Sequence, residues 1–211
     1  MITAALSKGR ILKQTLPLLE KIGITLKDDP FTSRKLIFET NHEDIQCVII
    51  RATDVPTYVQ FGAADLGIVG KDGLLEHGGE GLAELLDLQI SKCTLMTAVH
   101  ADNVDKPRTQ KRLRVATKYV KSAKKYYQAQ GIQAEIIKLY GAMELAPLVG
   151  LADEIVDLVE TGSTLKANNL VAKDLVATIS CRLIANAASM RVQHGAISDI
   201  VNQLSAHIDQ A

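Results

Sequence analysis

The 211-residue chain has no excess of charge of either sign: 24 Lys plus Arg stand against 24 Asp plus Glu, a formal net charge of zero. Nothing in the bulk charge therefore favours nucleic acid as a partner, and any anion site must be a local feature. Cysteine is scarce. Cys47, Cys93 and Cys181 are odd in number, far apart and without CxxC or Cys/His ligand spacing, which argues against a disulfide framework and leaves buried, reduced thiols. No apolar run approaches the roughly 20 residues that a membrane helix needs. The opening MITAALSKGR has no basic region followed by an apolar stretch of signal-peptide length, so a soluble protein of the cytoplasm is expected. His42, His77, His100, His194 and His207 are scattered, none with a companion at i+3 or i+4, and no protein-bound zinc or iron is expected. Internal repeats, low-complexity linkers and the GxxxxGK[ST] phosphate loop are all missing.

What the chain does have is hydrophobic periodicity. At 47% hydrophobic residues it can build cores for one large domain or two compact lobes. The strand ITAAL runs through the polar turn SKGR into a helical pattern from Ile11 to Ile22, with Leu12, Leu16 and Leu19 at helical spacing. KLIFET and QCVIIRA flank NHED as a hairpin. A short helix with Pro56 in its first turn precedes the buried strand ADLGIVG. LLEHG follows as a helix, LAELLDLQI and KCTLMTAVH as strands, and the charged stretch 102–112 as an exposed loop. The second half alternates LRVAT, a helix ending at Gly131, AEIIKLY, the helix AMELAPLVGLA, EIVDLVE and a Thr-Gly-Ser-Thr turn opening a further helix. Residues 174–186 supply one more strand, and 189–208 an amphipathic terminal helix with Ile197, Ile200, Val201 and Leu204 on one face. The alternation predicts an α/β fold with mixed, mostly parallel sheets, and roughly ten strands point to two lobes.

Three groups of residues are candidates for chemistry. In DLVETGSTL, Asp157 to Leu165, an apolar strand carrying two acids runs into a Thr-Gly-Ser-Thr turn. The backbone N–H groups of Thr161, Gly162, Ser163 and Thr164, with three hydroxyls and the positive end of the following helix, would make a nest for a phosphate monoester. Asp157 or Glu160 could then accept hydrogen bonds from vicinal ribose hydroxyls. An N-capped helix after a strand explains the same residues, and both readings stay open. In LSKGRI, Lys8 and Arg10 flank Gly9 between a first strand and a first helix, where open α/β sheets collect ligands; two solvated basic residues at a turn is the alternative. The third group is Arg34, Arg51, and Lys71 with Asp72, each near a strand end or loop. Arginine's fork suits a pyrophosphate and Asp72 a base or ribose, while surface ion pairing competes at every one of them. Glu144 opens a helix, where stabilising the dipole is a sufficient role. Lys118 to Lys125 form a basic helix face read as solvated, and Tyr119, Tyr126 and Tyr127 are read as packing residues.

Taken in order, LSKGRI, SRKL, RATDVP, ADLGIVGKD, IKLYGAMELAPLVG and IVDLVETGSTL resemble the successive motifs of the ATP phosphoribosyltransferases, with the most specific signature between Glu144 and Leu165. The similarity runs from about Ile2 to about Met190, and the small C-terminal regulatory domain of long-form members has no counterpart, so the chain resembles the short form. The resemblance implies two α/β lobes like those of type II periplasmic binding proteins, with the chain crossing twice. That puts 1–91 plus 174–211 in one lobe and 92–173 in the other.

The same resemblance implies a reaction. Adenine N1 of ATP displaces pyrophosphate from C1 of 5-phosphoribosyl pyrophosphate to give phosphoribosyl-ATP, the first step of histidine biosynthesis, with Mg2+ accompanying the polyphosphates. It implies that Thr161, Gly162, Ser163 and Thr164 hold the 5-phosphate and that Glu160, with Asp157 and Glu144 nearby, addresses the ribose. Arg10 and Arg34 meet the pyrophosphate, and Lys8, Gly9, Arg51 and Asp72 lie on the ATP side. A homodimer within a hetero-oligomer, joined by a regulatory subunit similar to histidyl-tRNA synthetase, is the implied assembly. The rival from another class is a two-lobed small-ligand-binding protein without chemistry, which fold alone does not separate from the enzyme.

Overall fold

The computed structural model describes residues 1–106 and 112–208. Residues 107–111, the centre of the charged stretch expected to be an exposed loop, lie outside the described residues, as do 209–211. The chain divides into two compact units, Met1–Ser91 together with the chain from Ser180 onward, and Lys92–Ile179.

The first unit opens with β1 (Ile2–Ser7), α1 (Arg10–Lys21), β2 (Ile37–Glu39), β3 (Ile45–Ile50), α2 (Val55–Gln60), β4 (Leu66–Gly70), α3 (Lys71–His77) and β5 (Leu82–Asp87). The second unit contains β6 (Cys93–His100), β7 (Leu113–Thr117), α4 (Val120–Ala129), β8 (Ala134–Lys138), α5 (Leu145–Leu148), β9 (Glu154–Val159), α6 (Ser163–Ala167) and β10 (Leu170–Ile179). The chain then returns to the first unit as β11 (Cys181–Asn186), α7 (Ser189–Val192) and α8 (His194–Ile208).

The sheets run β2-β3-β1-β4-β11-β5 and β10-β6-β9-β7-β8. Each contains a parallel three-stranded block, β3-β1-β4 in one and β9-β7-β8 in the other. Every other pairing is antiparallel, so the sheets are mixed rather than mostly parallel. The physical reason is connectivity. The hairpin β2/β3 and the strands β5, β6, β10 and β11, which carry the chain out of and back into the first unit, run against their neighbours.

Helices cover both faces of each sheet. In the first unit Leu12 and Leu19 of α1, with Ile197 and Leu204 of α8, pack on Ile2, Leu6 and Ile68. Val55 and Val59 of α2 and Leu74 of α3 cover the other face against Ala5, Val69 and Ile184. In the second unit Ala123 and Tyr127 of α4 pack on Val115 and Val156, while Met143, Ala146 of α5 and Leu165 of α6 pack on Ala116 and Ile155. Tyr119 and Tyr127 are buried, and Tyr126 meets Tyr127 edge to face at 5.1 Å, which bears out the packing role read for these rings. No helix among the described residues is long and apolar enough to cross a membrane.

Three boundaries differ from the sequence-based expectation. The single strand expected over 174–186 is two strands in two different sheets, broken at Ser180, so the change of unit falls at 179/180 and not at 173/174. Residues 174–179 stay hydrogen-bonded to β6, and an uninterrupted apolar pattern carries no signal of the break. The expected terminal helix is interrupted at Gln193, whose Nε2 donates to Asp65 Oδ1 at 2.9 Å alongside Ser189 Oγ at 2.6 Å. The helix expected over AMELAPLVGLA shrinks to Leu145–Leu148, because Ala142 and Gly150 both take positive φ, 51° and 71°.

At Gly67 three apolar side chains close in on the backbone of β4. A Cβ there would lie 2.7 Å from Val59 Cγ2, 2.8 Å from Val55 Cγ1 and 3.2 Å from Ile184 Cγ1. Gly67→Ala is predicted to lower the melting temperature by roughly 3–10 °C through overpacking, and a melting curve superimposable on that of the parent would contradict the close approach of α2 to β4.

Candidate functional site

In the first unit the carboxyl ends of β3, β1 and β4 lie side by side. Ser7 pairs with Ile50, and Lys8 N–H donates to Ile50 O at 2.9 Å, so Lys8 and Arg51 emerge from adjacent parallel strands. The Ser7 hydroxyl is buried and donates to Ile68 O on β4 at 2.7 Å, fixing the end of β1 against the third strand. Gly9 takes φ 86°, a conformation open to glycine, and this turns the chain from β1 into α1 with Arg10 as the first helical residue. Lys8, Arg10 and Arg51 are exposed. At the end of β4 the Asp72 carboxylate folds back over Gly70, where an added Cβ would collide with Asp72 Oδ1 and lie 3.9 Å from Ile11 Cδ1. The fold thus brings Lys8, Gly9, Arg10, Arg51 and Asp72 to one end of one sheet.

Two residues of the third group stand apart. Lys71 is committed to Glu84 Oε2 at 2.5 Å, part of a chain in which Glu84 and Asp87 also hold Arg182, so its ion pairing is structural. Arg34 sits in the long loop between α1 and β2, exposed, while its neighbour Lys35 is paired with Asp28 at 2.6 Å. The described residues offer the Arg34 guanidinium no acidic partner.

In the second unit the corresponding end belongs to β9, β7 and β8. Strand alternation puts Ile155, Asp157 and Val159 on the face covered by α5 and α6, and Val156 and Leu158 on the α4 face. Glu144, half-buried, is the N-cap of α5 and follows Met143, which is buried on that side. Glu160 is exposed just beyond the strand. Asp157 Oδ1 accepts the N–H of Leu158 at 2.8 Å, which restrains the carboxylate.

The loop Thr161–Thr164 follows directly. Gly162 has φ 73° as the N-cap of α6, and the Thr161 and Ser163 hydroxyls are 3.0 Å apart. Leu165, 6% exposed, anchors the loop in the core. Among the described residues no hydrogen bond engages the backbone N–H groups of Thr161, Gly162 and Thr164, so they are available to an anion. Because α6 has only five residues, its dipole adds little; the oriented N–H groups and hydroxyls are the main attraction.

Sequence reasoning missed one residue that builds this end. The buried Thr117 hydroxyl donates to Val156 O at 2.6 Å and accepts the Tyr119 N–H at 2.9 Å, joining β7 to β9 as Ser7 joins β1 to β4. A lone hydroxyl ending the apolar strand LRVAT is the signal that could have found it.

Gly162→Ala is predicted to reduce stability by about 1–2 kcal/mol, the cost of a Cβ in the left-handed region, and to weaken calorimetric binding of ribose 5-phosphate at least tenfold as the N–H groups turn away. Unchanged affinity in the folded variant would contradict the nest.

Comparison with known proteins places the chain in one family. The family model described as HisG, ATP phosphoribosyltransferase, matches residues 51–206. The ATP phosphoribosyltransferase of Alcanivorax borkumensis is 61% identical over 203 residues, covering 96% of this chain and 94% of the relative. Among solved structures, the ATP phosphoribosyl transferase (HisG:HisZ) complex of Thermotoga maritima superposes with a TM-score of 0.86 at 31% identity, covering all of both chains. The periplasmic aliphatic sulphonate binding protein SsuA of Escherichia coli shares the fold alone, with a TM-score of 0.60 at 14% identity over 98% of this chain and 72% of its own. The chain belongs to the ATP phosphoribosyltransferase family.

Proposed function

We propose that the strand-end loops divide the work of phosphoribosyl transfer from 5-phosphoribosyl pyrophosphate to N1 of the adenine of ATP, the reaction that opens histidine biosynthesis. The Thr161–Thr164 loop holds the 5-phosphate through its N–H groups and hydroxyls. Glu160 and Asp157, with Glu144, accept hydrogen bonds from the ribose hydroxyls. Lys8, Gly9, Arg51 and Asp72 take ATP. The observation that carries this reading is the loop itself: oriented N–H donors at the end of a strand that also presents carboxylates.

In the chemical step the bond from C1 to the pyrophosphate oxygen breaks, its electron pair leaves with pyrophosphate, and adenine N1 forms the new bond to C1. Positive charge develops on the ribose ring and negative charge on the departing oxygens. We assign Arg10 and Arg34 to those oxygens, where a placed donor lowers the barrier by about 3–4 kcal/mol. Carboxylates at the ribose favour the positive ring electrostatically as well as orienting it.

We assign Mg2+ to the polyphosphates rather than to a protein cage. Among the described residues no three His, Cys, Asp or Glu side chains are grouped to hold an ion. Magnesium retains several waters and uses one or two carboxylates plus substrate phosphates, a role for which Asp157 or Glu160 has the right donor chemistry. When bound, the ion neutralises leaving-group charge. We further propose that the chain works in the cytoplasm as a homodimer within a hetero-oligomer, with a regulatory subunit similar to histidyl-tRNA synthetase; the Thermotoga maritima relative is itself a HisG:HisZ complex.

The test mixes the chain with Mg2+, ATP and phosphoribosyl pyrophosphate, with and without a regulatory partner, and follows the absorbance of N1-substituted adenine. Product requiring both substrates is expected, and Arg34→Ala is expected to lower kcat about a hundredfold with a much smaller change in phosphoribosyl pyrophosphate binding. Equal losses in both would assign Arg34 to ground-state binding, and absence of product with the partner present would refute the reading.

A further inference from the structure

The loop assigned to the 5-phosphate departs from β9 where that strand has lost one of its two neighbours. In the sheet β9 runs between β6 and β7. Pairing with β7 stops at Thr117 and Val156, whereas pairing with β6 continues to Thr94 and Val159, the last residue of β9. Among the described strands, the stretch that carries Asp157 and leads into Glu160 is therefore paired with β6 alone. Within it the Asp157 carboxylate takes up the N–H of its own neighbour, Leu158. A strand end of this kind opens easily, and a site built on it needs support from a firmer element.

Thr94 supplies that support. Its hydroxyl donates to Val159 O at 3.0 Å, across the last register pair of the two strands. That carbonyl belongs to the planar peptide joining Val159 to Glu160, so the bond fixes the plane from which Glu160 and the Thr161–Thr164 loop depart. Thr94 is itself firmly held. Strand β6 lies between β10 and β9, and Thr94 is in register with Thr178 on one side and Val159 on the other. Alternation puts Thr94 on the same face as Met96, the register partner of Asp157. The side chain is half-buried, where water competes less for the hydroxyl. Threonines in strands make cross-strand bonds without any functional consequence. Here the acceptor is the last carbonyl before the loop, past the end of the pairing with β7.

We propose that Thr94 is a positioning residue for phosphoribosyl transfer: through Val159 O it sets the Thr161–Thr164 loop to receive the phosphate of a pentose monoester. This rests on the assignment of that loop to the 5-phosphate. The hydroxyl acts through the backbone, and its removal corresponds to roughly a three- to tenfold change in affinity.

The test uses the full chain and its Thr94→Val and Thr94→Ser variants, with Gly162→Ala as the loop control. Valine keeps the branched shape and the strand preference while removing the hydroxyl; serine keeps the hydroxyl. Calorimetry reads the dissociation constant for ribose 5-phosphate, and kinetics read KM for each substrate. Thr94→Val is expected to weaken ribose 5-phosphate and to raise the KM for phosphoribosyl pyrophosphate, each by roughly three- to tenfold, with the KM for ATP and the melting temperature unchanged. Thr94→Ser is expected to bind within about twofold of the parent, because the hydroxyl is what is needed. If Thr94→Val binds like the parent while Gly162→Ala is weakened, the loop assignment stands and the Thr94 bond is an ordinary cross-strand contact, which overturns the proposal. If Gly162→Ala is not weakened, the loop assignment itself fails and the proposal with it. An equal rise in the KM for ATP, or loss of binding with a lower melting temperature and no rescue by serine, would make Thr94 a general structural residue and overturn it equally.

Discussion

Both candidate loops depend on the same small device, a buried hydroxyl that stitches the carboxyl ends of two parallel strands. Ser7 donates across to Ile68 O and Thr117 across to Val156 O, each hydroxyl fully buried. A single such bond contributes about 1 kcal/mol net, which is small against the cores around it. Its importance lies in where it acts. Strand ends fray, and the residues that follow Ser7, Lys8-Gly9-Arg10, carry charges whose use depends on where the backbone releases them. The stitch converts the last residue of an apolar strand into a fixed point from which a short loop departs.

Around those fixed points each unit solves the same problem with different chemistry. The first presents cations from two adjacent strand ends, Arg51 and Lys8 with Arg10, beside a third strand end that bears the acid Asp72. The second presents carboxylates and a loop of oriented N–H groups. A neutral total charge conceals this separation, because the acids and bases are distributed by strand end rather than by sequence region. Burial enforces the arrangement: the faces of both sheets are covered by helices, which leaves the strand ends as the place where polar groups of the parallel blocks reach solvent.

Much of the fold was legible because periodicity is a local signal. The strands ending at Ser7, Ile50, Gly70, Thr117 and Val159, and the helices between them, follow from apolar spacing and turn residues. What was not legible is pairing. The hand of each neighbour, and hence the mixed sheets, depends on contacts between distant segments, and the break at Ser180 sits inside a run whose hydrophobicity does not change. The site divides the same way. Gly162 and its hydroxyl neighbours are contiguous and visible in sequence, as is the Lys8-Gly9-Arg10 turn. Thr117 is not, because its relevance comes from β7 lying beside β9, separated from it by a helix, a strand and a further short helix. At Lys71 the ion-pairing alternative weighed in the sequence is the one the fold adopts, its charge spent on Glu84.

The most direct measurement is a crystal structure of the chain with phosphoribosyl pyrophosphate and magnesium. The account predicts the 5-phosphate on the backbone N–H groups of Thr161 to Thr164, with the ribose hydroxyls turned to the carboxylates of β9. A 5-phosphate seated instead on the Lys8–Arg10 turn, with the Thr161–Thr164 loop touching no substrate, would contradict it.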